Sequence, residues 1–158
     1  MTFLDTSIIV QAPPARVWEV LTDFAAYPDW NPFILSVSGR LEEGARLEVR
    51  IKPPEQSPMT FRPRLLAVKP GRELRWLGRV ALPGLFDGEH AFEIEGLDGR
   101  HSRLRQSERF SGLLPRLMSG KLMGPTRSGF EAMNRALKTR AESAVVPDSP
   151  DAEPHFPS

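Results

Sequence analysis

Apolar residues recur along this chain at two spacings, one that suits strands and one that suits helices. Residues 2–11 (TFLDTSIIVQ) are rich in β-branched side chains and predict a strand. Ala12-Pro13-Pro14 ends it, with proline well placed for the first turn of a helix. Val17, Val20, Leu21 and Phe24 then fall at helical spacing, with Trp18 at the flank. The aromatic-rich FAAYPDWNPF, interrupted by Pro28 and Pro32, suits a second short helix and a turn. Strands are predicted over 34–40, 46–52, 59–69, 73–82, 89–97 and 102–110. Their inward faces are read from alternation: Leu47, Val49 and Ile51; Phe61 and Leu65; Leu74, Trp76 and Val80; His90, Phe92 and Ile94; Leu104, Gln106, Glu108 and Phe110. Pro63 inside its segment implies an edge position or a bulge, and Asp98-Gly99 signals a hairpin between the last two strands.

A long helix closes the pattern over 113–141, with a kink or break expected near Gly124-Pro125. Phe130, Met133, Leu137 and Ala141 share one face, and Arg127, Glu131, Arg135, Lys138 and Glu142 the other. About 28 residues at 1.5 Å each give a rod of about 42 Å. It needs a broad partner, which the consecutive strands supply as one curved antiparallel sheet. Beyond Glu142 the sequence SAVVPDSPDAEPHFPS, rich in Pro, Ser and Asp, predicts a disordered tail, so the domain is placed at 1–142 and the tail at 143–158.

Composition narrows the function classes. At 158 residues the chain suits one domain with a real core. A net charge of +1 offers no electrostatic footprint for nucleic acid. The 17 Arg against 4 Lys are scattered and matched by acids, which favours a solubility or genomic bias over phosphate binding. With no cysteine, disulfides, thiolate metal sites and a thiol nucleophile are excluded. Three dispersed histidines, with His101 in a hairpin and His155 in the tail, lack metal-ligand spacing, so no metal or cofactor is expected. No GxGxxG, phosphate loop or GxSxG elbow occurs. There is no secretory signal and no apolar run of about 20 residues, so no membrane insertion and a cytoplasmic location are expected.

The order strand, two short helices, consecutive strands and long helix resembles the START-like or SRPBCC superfamily, which includes polyketide cyclase/dehydrase-like proteins of Bet v 1 type. The resemblance rests on APPARVWEVLTDFAAYPDWNPF, on FDGEHAFEIEGLDGRHSRLRQSERFSG and on GFEAMNRALKTRAE. It implies an α+β helix-grip fold. A seven-stranded curved antiparallel sheet wraps around a long C-terminal helix, with two short helices between the first and second strands and an apolar cavity between sheet and helix.

The inward set Trp30, Phe33, Phe61, Trp76, Phe92, Phe110, Met118, Met123, Phe130 and Met133 reads as a solid core by periodicity alone; the resemblance implies that it lines a ligand cavity. His90 and Glu108 face the same way and could form a general base and acid, or a structural hydrogen bond, or Glu108 could be neutralised by Arg105 or Arg109. Gln106 and Glu108 are candidate polar anchors for a ligand. Asn31 is either a turn-forming amide or a ligand contact, and Leu85-Phe86 either a lid tip or an ordinary turn hydrophobe.

The leading expectation is binding or carriage of a small hydrophobic or aromatic ligand, lipid included, by a monomer or homodimer. The alternatives are a cyclase or dehydratase using His90 and Glu108, and a co-chaperone-like interaction domain with a solid interior and a contiguous exposed apolar patch.

Overall fold

The computed structural model describes residues 2–79 and 87–143, the side chains of residue 2 and of residues 113–122 excepted. Val80, Leu85-Phe86, the side chain of Met118 and the tail beyond residue 143 therefore lie outside the described residues. Strand β1 (Thr2–Val10) leads into helix α1 (Pro14–Thr22), a 3-10 turn (Phe24–Ala26) and a short α2 (Tyr27–Trp30). Strands β2 (Ile34–Ser38), β3 (Glu48–Ile51), β4 (Met59–Phe61), β5 (Arg64–Lys69), β6 (Glu73–Arg79), β7 (Asp87–Asp98) and β8 (His101–Ser111) follow. Helix α3 (Leu113–Ser143) ends the described chain. No described helix is long and apolar enough to cross a membrane.

Two expectations need correction. The strand predicted over 59–69 is two strands, β4 and β5, because Pro63 has no N–H to give to a ladder. The described strands accordingly number eight and form two antiparallel sheets, β1-β8-β7-β6-β5 and β2-β3-β4, rather than seven in one sheet. The sheets are stitched at the split: Leu47 N–H donates to Pro63 O at 2.8 Å and Leu65 N–H to Ala45 O at 2.8 Å. A bridge also pairs Arg46 with Arg64. The second correction concerns the break allowed for near Gly124-Pro125 as the alternative to a kink: α3 is one helix through Pro125. That proline costs the helix one backbone donor but does not end it.

The stripe along α3 is as its spacing predicts, since Phe130, Met133, Leu137 and Ala141 are all fully buried. They pack with Leu4, Val10, Val17, Leu21, Phe92 and Leu104 in one core. Gly129 lets the helix come close: a Cβ there would run into the ring of Phe33. Tyr27 is buried under α1 and its hydroxyl donates to Leu21 O. Burial, followed by the charge of Asp23, pushes its phenol well above the usual range.

Candidate functional site

Antiparallel pairing places inward side chains from successive strands in rows across the large sheet. One row runs Leu65, Trp76, His90, Glu108, Leu4, and the next Leu74, Phe92, Gln106, Thr6. The tight turn at Gly99-Arg100 sets Asp98 opposite His101, and a one-residue register shift between Gly96 and Asp98 then brings His90 opposite Glu108 rather than Arg109. His90 and Glu108 are thus direct cross-strand neighbours, and Gln106 lies diagonally below His90.

These side chains form a continuous hydrogen-bonded relay. Thr6 Oγ1–H donates to the Gln106 backbone carbonyl at 2.9 Å. Its oxygen accepts from Asn134 Nδ2 at 2.9 Å. Asn134 Oδ1 in turn accepts from Gln106 Nε2 at 2.8 Å, and the same Nε2 points at Phe130 O at 3.4 Å. Gln106 Oε1 meets His90 Nε2 at 2.9 Å, and His90 Nδ1 meets Glu108 Oε1 at 3.0 Å.

Direction follows from the two backbone carbonyls, which only accept. Thr6 must spend its hydrogen on Gln106 O, so Asn134 presents its amide nitrogen to Thr6 and its oxygen to Gln106. The Gln106 oxygen therefore faces His90, and His90 Nε2 carries a hydrogen. His90 Nδ1 and Glu108 Oε1 cannot face one another at 3.0 Å as two bare acceptors, so one proton lies between them. The tautomer of His90 is set from inside the core, and Glu108 holds the outer end of the relay. The Glu108 side chain is 17% exposed against 5% for His90.

Aromatic rings enclose the imidazole. Phe92, Phe130 and Trp76 have centroids 4.7, 4.9 and 5.3 Å from it, and Phe33 stands 5.6 Å from Phe130. Trp76 and Phe92 also meet edge to face at 5.7 Å, and all four rings are buried, so around the imidazole the described wall is packed core. Gly88 makes room for the carboxylate: a Cβ there would overlap Glu108 Oε2.

The remaining predicted residues divide. Phe110 and Met133 are buried, while Phe61 and Met123 are half-buried against the core. Asn31 is the turn-forming amide of the bland alternative, its Oδ1 accepting from the N–H groups of Phe33 (2.9 Å) and Ile34 (2.8 Å). Its Nδ2 and the half-buried Trp30 Nε1 are buried donors with no hydrogen-bond partner among the described residues. Arg105 and Arg109 do not neutralise Glu108; Arg105 bonds Asp5 at 2.7 Å on the outer face, and Arg109 lies 5.7 Å over the Phe3 ring. Among the described residues no cluster of His, Asp and Glu could hold a metal ion.

Thr6 and Asn134 went unread in the sequence, though each left a signal. Asn134 lies four residues after Phe130 and three before Leu137, a polar group on an apolar stripe. Thr6 alternates with Leu4 and Ile8 along β1.

The sequence matches the family model described as polyketide cyclase / dehydrase and lipid transport over residues 1–142. No curated protein matches it. Among solved structures, it is similar to the ZhuI aromatase/cyclase from Streptomyces sp. R1128, with TM-score 0.75 and 21% identity, covering 91% of this chain and 95% of that one. A START superfamily protein from Mycobacterium smegmatis gives TM-score 0.67 and 22% identity over 89% of this chain and 97% of that one. A norcoclaurine synthase point mutant from Thalictrum flavum gives 0.69 and 12% over 89% and 94%. At such identities these likenesses establish the helix-grip architecture.

Proposed function

The chain belongs to the polyketide cyclase / dehydrase and lipid transport family, and on that premise we propose that it binds a small, mainly apolar or aromatic molecule between the large sheet and α3. One hydroxyl of that molecule is held at Glu108. The observation that carries this reading is the relay itself. A polar line this long inside an apolar core is costly to desolvate unless every member is paired, and here it ends at the one partly exposed carboxylate. Oε2 of that carboxylate is the atom a ligand hydroxyl would meet, and the apolar body of the ligand would sit beyond it, outside the packed rings around His90.

A second reading, a cyclase or dehydratase, draws on the proton between Nδ1 and Oε1. As Oε2 takes a proton from an enolisable ligand, the shared proton moves onto His90 Nδ1, and the pair ends one proton richer. The reverse transfer returns that proton to an oxygen of the product. Glu108 would then be the group that exchanges protons with the ligand, and His90 its reservoir.

The binding reading is tested by native mass spectrometry of the purified chain, joined to thermal shifts with naphthols and fatty acids. A co-purified molecule or a shift of several degrees is expected, with Glu108→Gln and Gly88→Ala both reducing it. A bare mass and no shift with any compound would overturn it. If a substrate is found, turnover unchanged in His90→Ala and Glu108→Gln removes the enzymatic reading from this pair.

A further inference from the structure

Four arginines from three stretches of the sequence meet on the outer side of the sheets. Arg46, Arg62, Arg64 and Arg79, with Leu77, line a cleft of about 340 Å³ where the two sheets are stitched together. Sheet geometry brings them there. Arg46 bridges Arg64, Arg64 pairs with Leu77, and Arg79 follows Leu77 on the same face of β6. Arg46 Nη1 donates to Arg62 O at 3.2 Å, so one guanidinium is braced by the backbone beneath another.

Three arginines elsewhere on the outer face are closely matched. Arg75 bonds Glu73 at 2.6 Å and Glu89 at 2.8 Å, Arg103 bonds Glu95 at 2.7 Å and Arg105 bonds Asp5 at 2.7 Å. In the cleft the ion pairs are long: Arg62 to Glu48 at 3.7 Å and Arg79 to Asp87 at 3.9 Å. Arg46 and Arg64 make no ion pair with a described residue, and no carboxylate is among the described residues that line the cleft. The adjoining stretch 80–86 (VALPGLF) has no acid to contribute. Four guanidinium groups around one concavity repel one another, and their field is focused by the sheet behind them.

We propose that this cleft binds a multivalent oxyanion of the phosphate class, either a pyrophosphate or the phosphate ester of a larger molecule. Guanidinium forks match phosphate oxygens two at a time, and several forks converging from different strands give a geometry that a single surface arginine cannot. The volume lies at the small end of ligand sites, about 300–1,000 Å³, which suits a phosphate group with a short attached chain. Leu77 offers the carbon next to an ester oxygen an apolar contact. This site is independent of the inner relay.

The test is isothermal titration of the full chain at low salt with pyrophosphate and with inorganic phosphate. Saturable one-site binding is expected, tighter for pyrophosphate. In the double variant Arg46→Gln/Arg64→Gln it should weaken about a hundredfold, roughly tenfold for each lost charge-assisted contact, with the fold intact by circular dichroism. Arg103→Gln, on the matched part of the face, should leave it unchanged. Sedimentation with phosphatidic-acid vesicles against phosphatidylcholine vesicles separates the sources. Binding of soluble pyrophosphate identifies a free phosphate compound, and capture by the acidic vesicles alone identifies a headgroup. No saturable binding to any of these probes, or an equal loss in the Arg103 control, overturns the proposal.

Discussion

The two faces of the large sheet handle polar side chains in opposite ways. Inside, neutral amides, a hydroxyl, an imidazole and one carboxylate are joined end to end, with Gln106 wholly buried and Asn134 at 2% exposure. Outside, full charges sit in water, some in close Arg–carboxylate pairs and some, at the seam, nearly unmatched. Burial explains the contrast. A donor without a partner in the core forfeits its hydration, so the interior favours closed networks, with Asn31 Nδ2 and Trp30 Nε1 as its two described exceptions. Solvent and salt screen the outer charges, so their arrangement is free to serve recognition instead of stability.

The largest effect that contrast implies is at Gln106. Gln106→Leu leaves His90 Nε2 and Asn134 Oδ1 without partners and should cost about 2–5 kcal/mol in urea unfolding. It should also release the His90 tautomer, visible in the ¹⁵N shifts of the ring. A loss below about 1 kcal/mol would mean that water readily replaces the relay, and the two faces would differ less than the geometry shows.

Tyr27 sharpens the contrast through pH. Its folded pKa is raised by burial and by Asp23, so its contribution to stability is fully present below the unfolded value of 10.0. That contribution is lost as pH rises beyond it. Because the sequence has one tyrosine, tyrosinate absorbance reports this residue alone. The absorbance should stay silent past pH 10 and appear together with alkaline unfolding; an ordinary titration in the folded chain would show that the phenol is open to solvent.

The smallest effect belongs to the outer ladder. Arg105→Met removes bonds to Asp5 at 2.7 Å and Glu93 at 3.3 Å, yet both sides are about two-fifths exposed. The change should be under about 1 kcal/mol and should vanish in molar salt. A loss comparable to that of Gln106→Leu would erase the distinction between the faces.

Much of the site was legible because it depends on period and turn chemistry. Alternation along β7 and β8 turned His90, Gln106 and Glu108 inward, and Asp98-Gly99 marked the hairpin that makes their strands neighbours. The register shift between Gly96 and Asp98 that sets His90 directly opposite Glu108 left no such mark. The helical stripe from Phe130 to Ala141 was equally local. Other parts were not local. The split at Pro63 was visible as an irregularity, but whether it meant a bulge or a change of sheet depended on how 44–47 pairs with β5.

What the sequence determined by itself is therefore the class of fold and the inward orientation of the central pair, since both follow from the order of the elements and from side-chain periodicity within each of them. Only the tertiary structure decided the rest. Thr6 and Asn134 are 128 residues apart, and their bond exists because α3 crosses β1 at one place; that bond, in turn, fixes the proton on His90. The arginines at 46, 62, 64 and 79 likewise look scattered along the chain and become a cluster only where two sheets join. Contacts between distant elements depend on crossing geometry and register together, and no periodicity within either element encodes both.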